Sequence, residues 1–312
     1  MVSGAWVAPV PPATYAHNSF PDAQWENGTE VFLTKNWFGR RGTFVQDHYT
    51  KKAIDFIKCP SSQLLFLYLA YTSPHADNER GAAEPNGIDV PDNQPYQNEP
   101  WSEVERSFAA LVTRLDRDTG AVLKAIHDAG LDANTLVIFT SDNGPHREGN
   151  HNPGFFHSSG ELRGIKRDLD EGGIRIPFLA RWPGKIAPGT TPQVTAFWDM
   201  LPTLCELAGV SPAPAIDGVS ITAALLKNTG IPHPPLYWEF HERGFKQALR
   251  DGDWKAIRTT PGPPIELYNL SKDPNEKTNP ATTEPVFISR FDMLLNASRT
   301  NSAAFPVRYE SD

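Results

Sequence analysis

The sequence predicts an α/β protein, with a sheet of largely parallel strands flanked by helices and joined to a small C-terminal antiparallel α+β subdomain. Two apolar runs, Leu64 to Tyr71 and Leu136 to Phe139, each end in polar residues and enclose a long amphipathic helix. That β-loop-α-β order is typical of parallel sheets, whose strands are buried on both faces. Beyond about residue 230 the pattern changes to short aromatic and β-branched segments separated by turn residues, as in an antiparallel meander. The division expected is residues 1–230 and 231–312.

Taken in order, residues 1 to 48 start with the extended Pro9-Val10-Pro11-Pro12 segment and show no sustained periodicity. Ala53, Ile54, Phe56 and Ile57 fall on helical spacing over Thr50 to Ile57. Leu64 to Tyr71 then reads as a fully buried strand stopped by Ser73-Pro74-His75, before a long loop over 76–100 rich in Gly, Pro, Asn and Asp. Ser102 and Glu105 form a capping-box pattern for a helix carrying Val104, Phe108, Leu111, Leu115, Val122 and Ile126, bent at Gly120 and closed by Gly130. Thr135 to Thr140 is the next strand, and Ile174 to Ala180, interrupted by Pro177, suits a strand end or edge. Asp199 caps a short helix with Leu201, Leu204 and Leu207. Tyr237 to Phe240, Lys246 to Arg250, Trp254 to Arg258 and Glu266 to Leu270 make the small sheet, with Asp251-Gly252-Asp253 as a hairpin turn, and a helix follows around Glu284 to Ser298.

Composition bounds the function. The formal charge is -8 and no basic cluster occurs, which argues against broad nucleic-acid binding. Any anionic substrate must meet a local positive site. The two cysteines, Cys59 and Cys205, do not make a disulfide framework, and no apolar stretch reaches the roughly 20 residues of a membrane span.

Chemistry concentrates where strands end, because open α/β sheets bind ligands there. Asp142 and Asn143 close the second run and offer a carboxylate and an amide oxygen, hard ligands suited to calcium or magnesium. An isolated Asp-Asn-Gly is more often only a turn. Lys166, among tight glycines, is a point charge suited to a tetrahedral anion. His75 can donate to an anion or protonate a departing oxygen, or simply be satisfied by backbone at its strand end. His241 can face substrate from the small subdomain. Arg163 and Arg175 suit bracing of the sheet ends, and Glu171 suits orienting the Lys166 loop.

Together, Leu136 to Pro145, Leu162-Arg163-Gly164-Ile165-Lys166 and Glu171-Gly172-Gly173 resemble the sulfatase family of the alkaline-phosphatase superfamily. Leu67 to His75, Trp182-Pro183-Gly184, Leu201-Pro202-Thr203, Asp217-Gly218-Val219-Ser220 and Asp251 to Lys255 resemble family segments in the same order. The resemblance implies an alkaline-phosphatase-like α/β domain and hydrolysis of sulfate esters of a carbohydrate or aryl alcohol. It further implies Ca2+, with Mg2+ an alternative, at Asp142 and Asn143, and sulfate contacts from His75 and Lys166. A location outside the cytosol rests on the resemblance alone.

One part of the pattern is missing. Family members make a formylglycine nucleophile from Cys or Ser in C/S-x-P-x-R, yet Cys59 is followed directly by Pro60, and Ser19-Phe20-Pro21 has Ala23 where arginine is required. The family's first strand, with paired aspartates, is also unmatched, so the chain is expected to correspond to a C-terminal portion with the N-terminal part of the domain missing. It is then expected to lack ordinary turnover and to self-associate through an uncovered sheet surface. Two other readings stay open: a non-catalytic anion- or glycan-binding or assembly protein on this scaffold, and a phosphate or phosphonate ester hydrolase of the same superfamily.

Overall fold

In the computed structural model, residues 17–59, 64–242 and 244–307 are described; the Pro-rich lead-in, Pro9 to Pro12, lies outside them. The chain forms two compact units, one comprising Met1–Thr135 with His146–Phe156 and the other Leu136–Pro145 with His157–Asp312.

The first unit opens with a hairpin, β1 (Ala23–Glu26) and β2 (Thr29–Phe32), paired antiparallel. Its two-residue turn has both central residues at positive φ, Asn27 at 53° and Gly28 at 79°, the type I′ geometry that an Asn-Gly pair favours. α1 (Val45–Lys58) starts five residues before the periodic segment and buries Val45, Thr50, Ala53 and Ile57. After the single-turn-and-a-half α2 (Asn78–Ala83), α3 (Glu103–Asp128) runs unbroken through Gly120 and stops at Ala129 and Gly130, the latter at φ 70°. Ser102 accepts the N–H of Glu105, but the Glu105 carboxylate turns inward to His151 and Asn152, so only half of the capping box forms. α1 packs on α3, where buried Gln46 donates to Asp118 at 2.7 Å. Phe108, Ala110 and Leu111 of α3 close a core with Phe20, Phe44, Ile88 and Val90.

Leu64 to Tyr71 is not the buried strand expected. It joins no sheet among the described residues, and Leu64, Phe66 and Tyr68 are 94%, 73% and 75% exposed. An apolar run is buried only if neighbouring elements cover it, and among the described residues no strand pairs with it.

The second unit begins with β3 (Val137–Thr140), passes through the one-turn α4 (Glu171–Ile174), and pairs β3 antiparallel with β4 (Phe178–Arg181). The parallel pairing expected is thus absent among the described residues, because the preceding apolar run stays unpaired and β3 takes β4 as its neighbour instead. Pro177 stands just before β4 and its carbonyl accepts the Thr140 hydroxyl at 2.9 Å. α5 (Met200–Leu207) and α6 (Thr222–Lys227) follow. Asp199, fully buried, stands at the N-cap position of α5 but makes no side-chain cap bond to it: its carboxylate accepts instead from Ala196 N, Thr195 Oγ1 and Val219 N and lies 3.0 Å from His233 Nε2.

The C-terminal sheet matches expectation. β5 (Leu236–Phe240), β6 (Lys246–Asp251), β7 (Trp254–Arg258) and β8 (Glu266–Asn269) form an antiparallel meander in that order, and α7 (Pro285–Ser298) follows. The sheet is covered on both faces. Leu249, Ala256 and Leu267 pack with Phe291 and Leu295 of α7, whereas Ala248, Ile257 and Tyr268 pack with Leu169 and Ile174 from the segment around α4. The class is therefore mixed α/β with a small C-terminal antiparallel sheet. No helix among the described residues is long and apolar enough to cross a membrane.

Candidate functional site

In the second unit, three backbone segments interlock after β3. Gly144 N donates to Gly173 O at 2.8 Å, Gly172 N to Arg163 O at 2.6 Å, and Lys166 N to Pro145 O at 2.8 Å. No side chain fits between them: a Cβ on Gly144 would stand 1.9 Å from Gly172 O, one on Gly172 2.2 Å from Gly164 O, and one on Gly173 2.1 Å from Asp168 O. The glycines are required because backbone packs directly on backbone. The interlock holds Asp142 and Asn143 at the end of β3 in the same piece as Lys166.

Within this piece Asp142 is exposed and Asn143 half-buried, its Nδ2 donating to Gly144 O. Lys166 is half-buried, and Arg167 beside it sits at φ 78°, a strained conformation for a non-glycine residue. Arg167 Nε pairs with Glu242 at 3.1 Å, and Lys246 Nζ donates to Arg167 O at 3.0 Å and Asp168 Oδ1 at 3.2 Å. Arg163 does brace the sheet: it donates to Tyr268 Oη and Glu266, both at 2.9 Å, pairs with Asp170, and reaches Glu276 O at 3.1 Å. Burial opposes its charge, but bonds to Glu266 and Asp170 outweigh burial and hold it well above the usual arginine range.

Beneath the interlock lies a buried charge cluster that the sequence reading missed. Lys255 Nζ stands 2.9 Å from both Glu171 Oε1 and Glu276 Oε1, with Lys255 at 0%, Glu276 at 1% and Glu171 at 2% exposure. Glu276 Oε2 also accepts Glu171 N at 2.7 Å. Burial pushes the Glu276 carboxyl up, against the opposing pull of Lys255. A signal was present: Lys255 alternates onto the face of β7 shared with core residue Ile257, where a charge is seldom found without partners.

The remaining candidates have separate settings. His75, in the first unit, is half-buried with Nδ1 2.7 Å from Ala76 O, stacks on His17 at 4.8 Å, and has Nε2 3.7 Å from Glu148. Next to it His146 accepts Glu148 N at Nδ1, so its Nε2 carries the proton toward Pro74 O at 2.8 Å. His241, in the second unit, is 3% exposed between Phe245 and Phe305, with neither ring nitrogen hydrogen-bonded and Nε2 3.6 Å from Glu239. Cys59 is exposed at the end of α1, and Ser19 O accepts Val45 N at 2.9 Å.

Calcium prefers roughly six to eight oxygen ligands. No group of three or more His, Cys, Asp or Glu residues suited to a metal occurs among the described residues. Asp142 and Asn143 are of the right donor type but too few to form a shell.

A glycine-interlocked loop thus ties the segment that carries Lys166 to the turn after β3 that carries Asp142 and Asn143. Comparison with known proteins assigns the family: the Sulfatase family model matches residues 10–210, and an N-sulphoglucosamine sulphohydrolase C-terminal model matches 164–289. The chain belongs to the sulfatase family. It is 38% identical to human arylsulfatase A over 199 residues, covering 55% of this chain and 38% of that protein. It is 26% identical over 311 residues to N-acetylgalactosamine-6-O-sulfatase of Bacteroides thetaiotaomicron, covering 91% of this chain and 55% of that protein. The solved structure of Ps i-CgsB in complex with k-i-k-neocarrahexaose superposes with a TM-score of 0.70 at 26% identity, covering 90% of this chain and 59% of that one. The fold is that of alkaline-phosphatase-like sulfatases. The chain spans between 38% and 55% of the length of the two curated relatives named here.

Proposed function

We propose that this chain carries the Asp142- and Lys166-bearing part of a site for sulfuric ester hydrolysis, acting on a sulfated carbohydrate or an aryl sulfate. The observation that supports it most is the 2.8 Å bond from Lys166 N to Pro145 O, which joins the backbone of Lys166 and the turn that carries Asp142 and Asn143 in one piece. The Lys166 ammonium offsets the charge of a bound sulfate, and a cation aimed where charge develops lowers the barrier most when it is held in advance. His75 in the first unit and His241 in the second are each candidates for an anion contact of their own, His75 as a donor to an anion or a departing oxygen. Asp142 and Asn143 would give two of the oxygens that Ca2+ or Mg2+ needs, and the metal would supply Lewis-acid polarisation of a sulfate oxygen. The sulfated-sugar preference draws on the relatives named for aminosugar sulfates and on the neocarrahexaose-bound neighbour.

A second reading is a non-catalytic binding protein on the same scaffold, favoured by the lack of any C/S-x-P-x-R in the 312 residues. The two readings separate in one assay. The purified chain, with calcium and an aryl sulfate, is expected to bind sulfate in a calorimetric titration without releasing the alcohol. Metal-dependent release overturns the inactivity reading, and absence of any sulfate binding overturns the site reading itself.

A further inference from the structure

We infer that Lys255 and Glu276, which lie beneath the loops and not on them, are positioning residues that hold the Lys166 loop and the Asp142-Asn143 turn onto the C-terminal sheet. The inference rests on the reading of Lys166 and Asp142 given under Proposed function. Fully buried ion clusters are poor devices for stability, since well-packed apolar groups of the same volume are often as good or better. This cluster has a specific geometric result instead. Glu276 accepts Glu171 N at 2.7 Å while Lys255 holds the Glu171 carboxylate at 2.9 Å, so the first residue of α4 is fixed at both backbone and side chain. Arg250 and Arg175 add longer contacts, each 3.9 Å from Glu171 Oε2.

From α4 the restraint passes through single backbone bonds. Gly173 O accepts from Gly144 N, Arg163 O from Gly172 N, and Pro145 O from Lys166 N. With a prospective Cβ only 1.9 Å and 2.2 Å from carbonyl oxygens at Gly144 and Gly172, the segments have no slack in which α4 could shift alone. A small displacement at Lys255 must therefore appear at Lys166 and Asp142. Side chains that touch neither anion nor metal then set how well both are held, as outer partners of a binding site commonly do.

The test compares the chain with Lys255→Met and with the triple variant Lys255→Met/Glu171→Gln/Glu276→Gln, which removes all three buried charges together. Lys255→Met alone leaves two carboxylates uncompensated and lowers the thermal midpoint; the triple variant restores the midpoint. In both, the amides of Gly144, Lys166 and Gly172 lose at least tenfold of their hydrogen-exchange protection while the β6–β7 ladder keeps its own within about threefold, and affinity for inorganic sulfate falls at least tenfold. Wild-type protection at those three amides in the triple variant overturns the inference. Absence of sulfate binding by the unaltered chain sinks the proposed function, while the exchange data still decide the positioning role. Should neither variant fold, the unaltered chain decides: with rising denaturant the Gly144 and Gly172 amides are expected to open together with the β6–β7 ladder, and opening well before it overturns the coupling.

Discussion

Gly144 and Gly172 meet backbone to backbone, so that a Cβ on Gly144 would lie 1.9 Å from the Gly172 carbonyl oxygen. Only displacement of the 163–173 segment could admit a methyl group there. Overpacking of a well-fitted site costs about 1–3 kcal/mol. Gly144→Ala is expected to lower unfolding stability by about that amount in urea titration with little change in the slope. A neutral outcome would show that the two segments are not in contact.

Lys166 is expected to dominate anion binding, since its backbone is tied through Pro145 to the turn that carries Asp142. Lys166→Ala should weaken inorganic sulfate binding by at least tenfold, about 1.4 kcal/mol. Lys166→Arg should recover it only partly, because a planar guanidinium fork does not occupy the place of a compact ammonium. Equal affinity in all three forms, measured by calorimetry, would remove Lys166 from the site.

Much of this architecture was legible because local pattern and final environment agree. The 3.6-residue spacing from Val104 to Ile126 is realised as α3, and Gly252 at φ 60° closes the β6–β7 hairpin where Asp251-Gly252-Asp253 predicts it. The β1–β2 hairpin went unread although Asn27-Gly28 is a strong turn signal, because its flanking strands have four residues each and too little alternation to register. Leu64 to Tyr71 shows the opposite failure: apolarity reports the capacity to be buried, and burial depends on partners elsewhere. The Lys166 and Asp142 segments could be picked out by residue type, but their mutual backbone bonds join residues 9 to 29 positions apart, and the cluster beneath them joins Glu171 to Lys255 and Glu276 across 84 and 105 positions, relations that no local pattern encodes.

His151 makes the first unit sensitive to acid. Its side chain is fully buried against Phe108, with ring centroids 3.6 Å apart, and Nδ1 lies 2.6 Å from Glu105. Burial holds its pKa below the ordinary 6.5, the nearby Glu105 notwithstanding, because protonation would place a second N–H at Nε2, which has no acceptor. The unfolded chain thus binds more protons than the folded one between the lowered value and about 6.5, so stability is present above that window and falls as pH drops through it. Thermal midpoints from pH 7.5 to 4.5 should show this slope, and His151→Asn, which keeps a donor toward Glu105 without a titrating ring, should flatten it. An unchanged slope in the variant would assign the acid sensitivity elsewhere.

The segment from Leu64 to Tyr68 presents apolar side chains to solvent, with Leu64 94% and Phe66 73% exposed and no strand paired to it among the described residues. Backbone that joins no sheet among the described residues, beside exposed aliphatic and aromatic side chains, offers a template for another strand, and a second copy of the same chain offers an identical segment. Self-association should therefore rise with concentration in sedimentation velocity and persist at high salt, since no charge pair is needed to drive it. A lysine at the edge opposes such pairing by charge repulsion and desolvation, so Phe66→Lys should shift the chain toward monomer while leaving the α1 and α3 helical signal unchanged. A chain that stays monomeric at the highest concentrations, or a Phe66→Lys variant that associates as readily as the parent, would place any association at another surface.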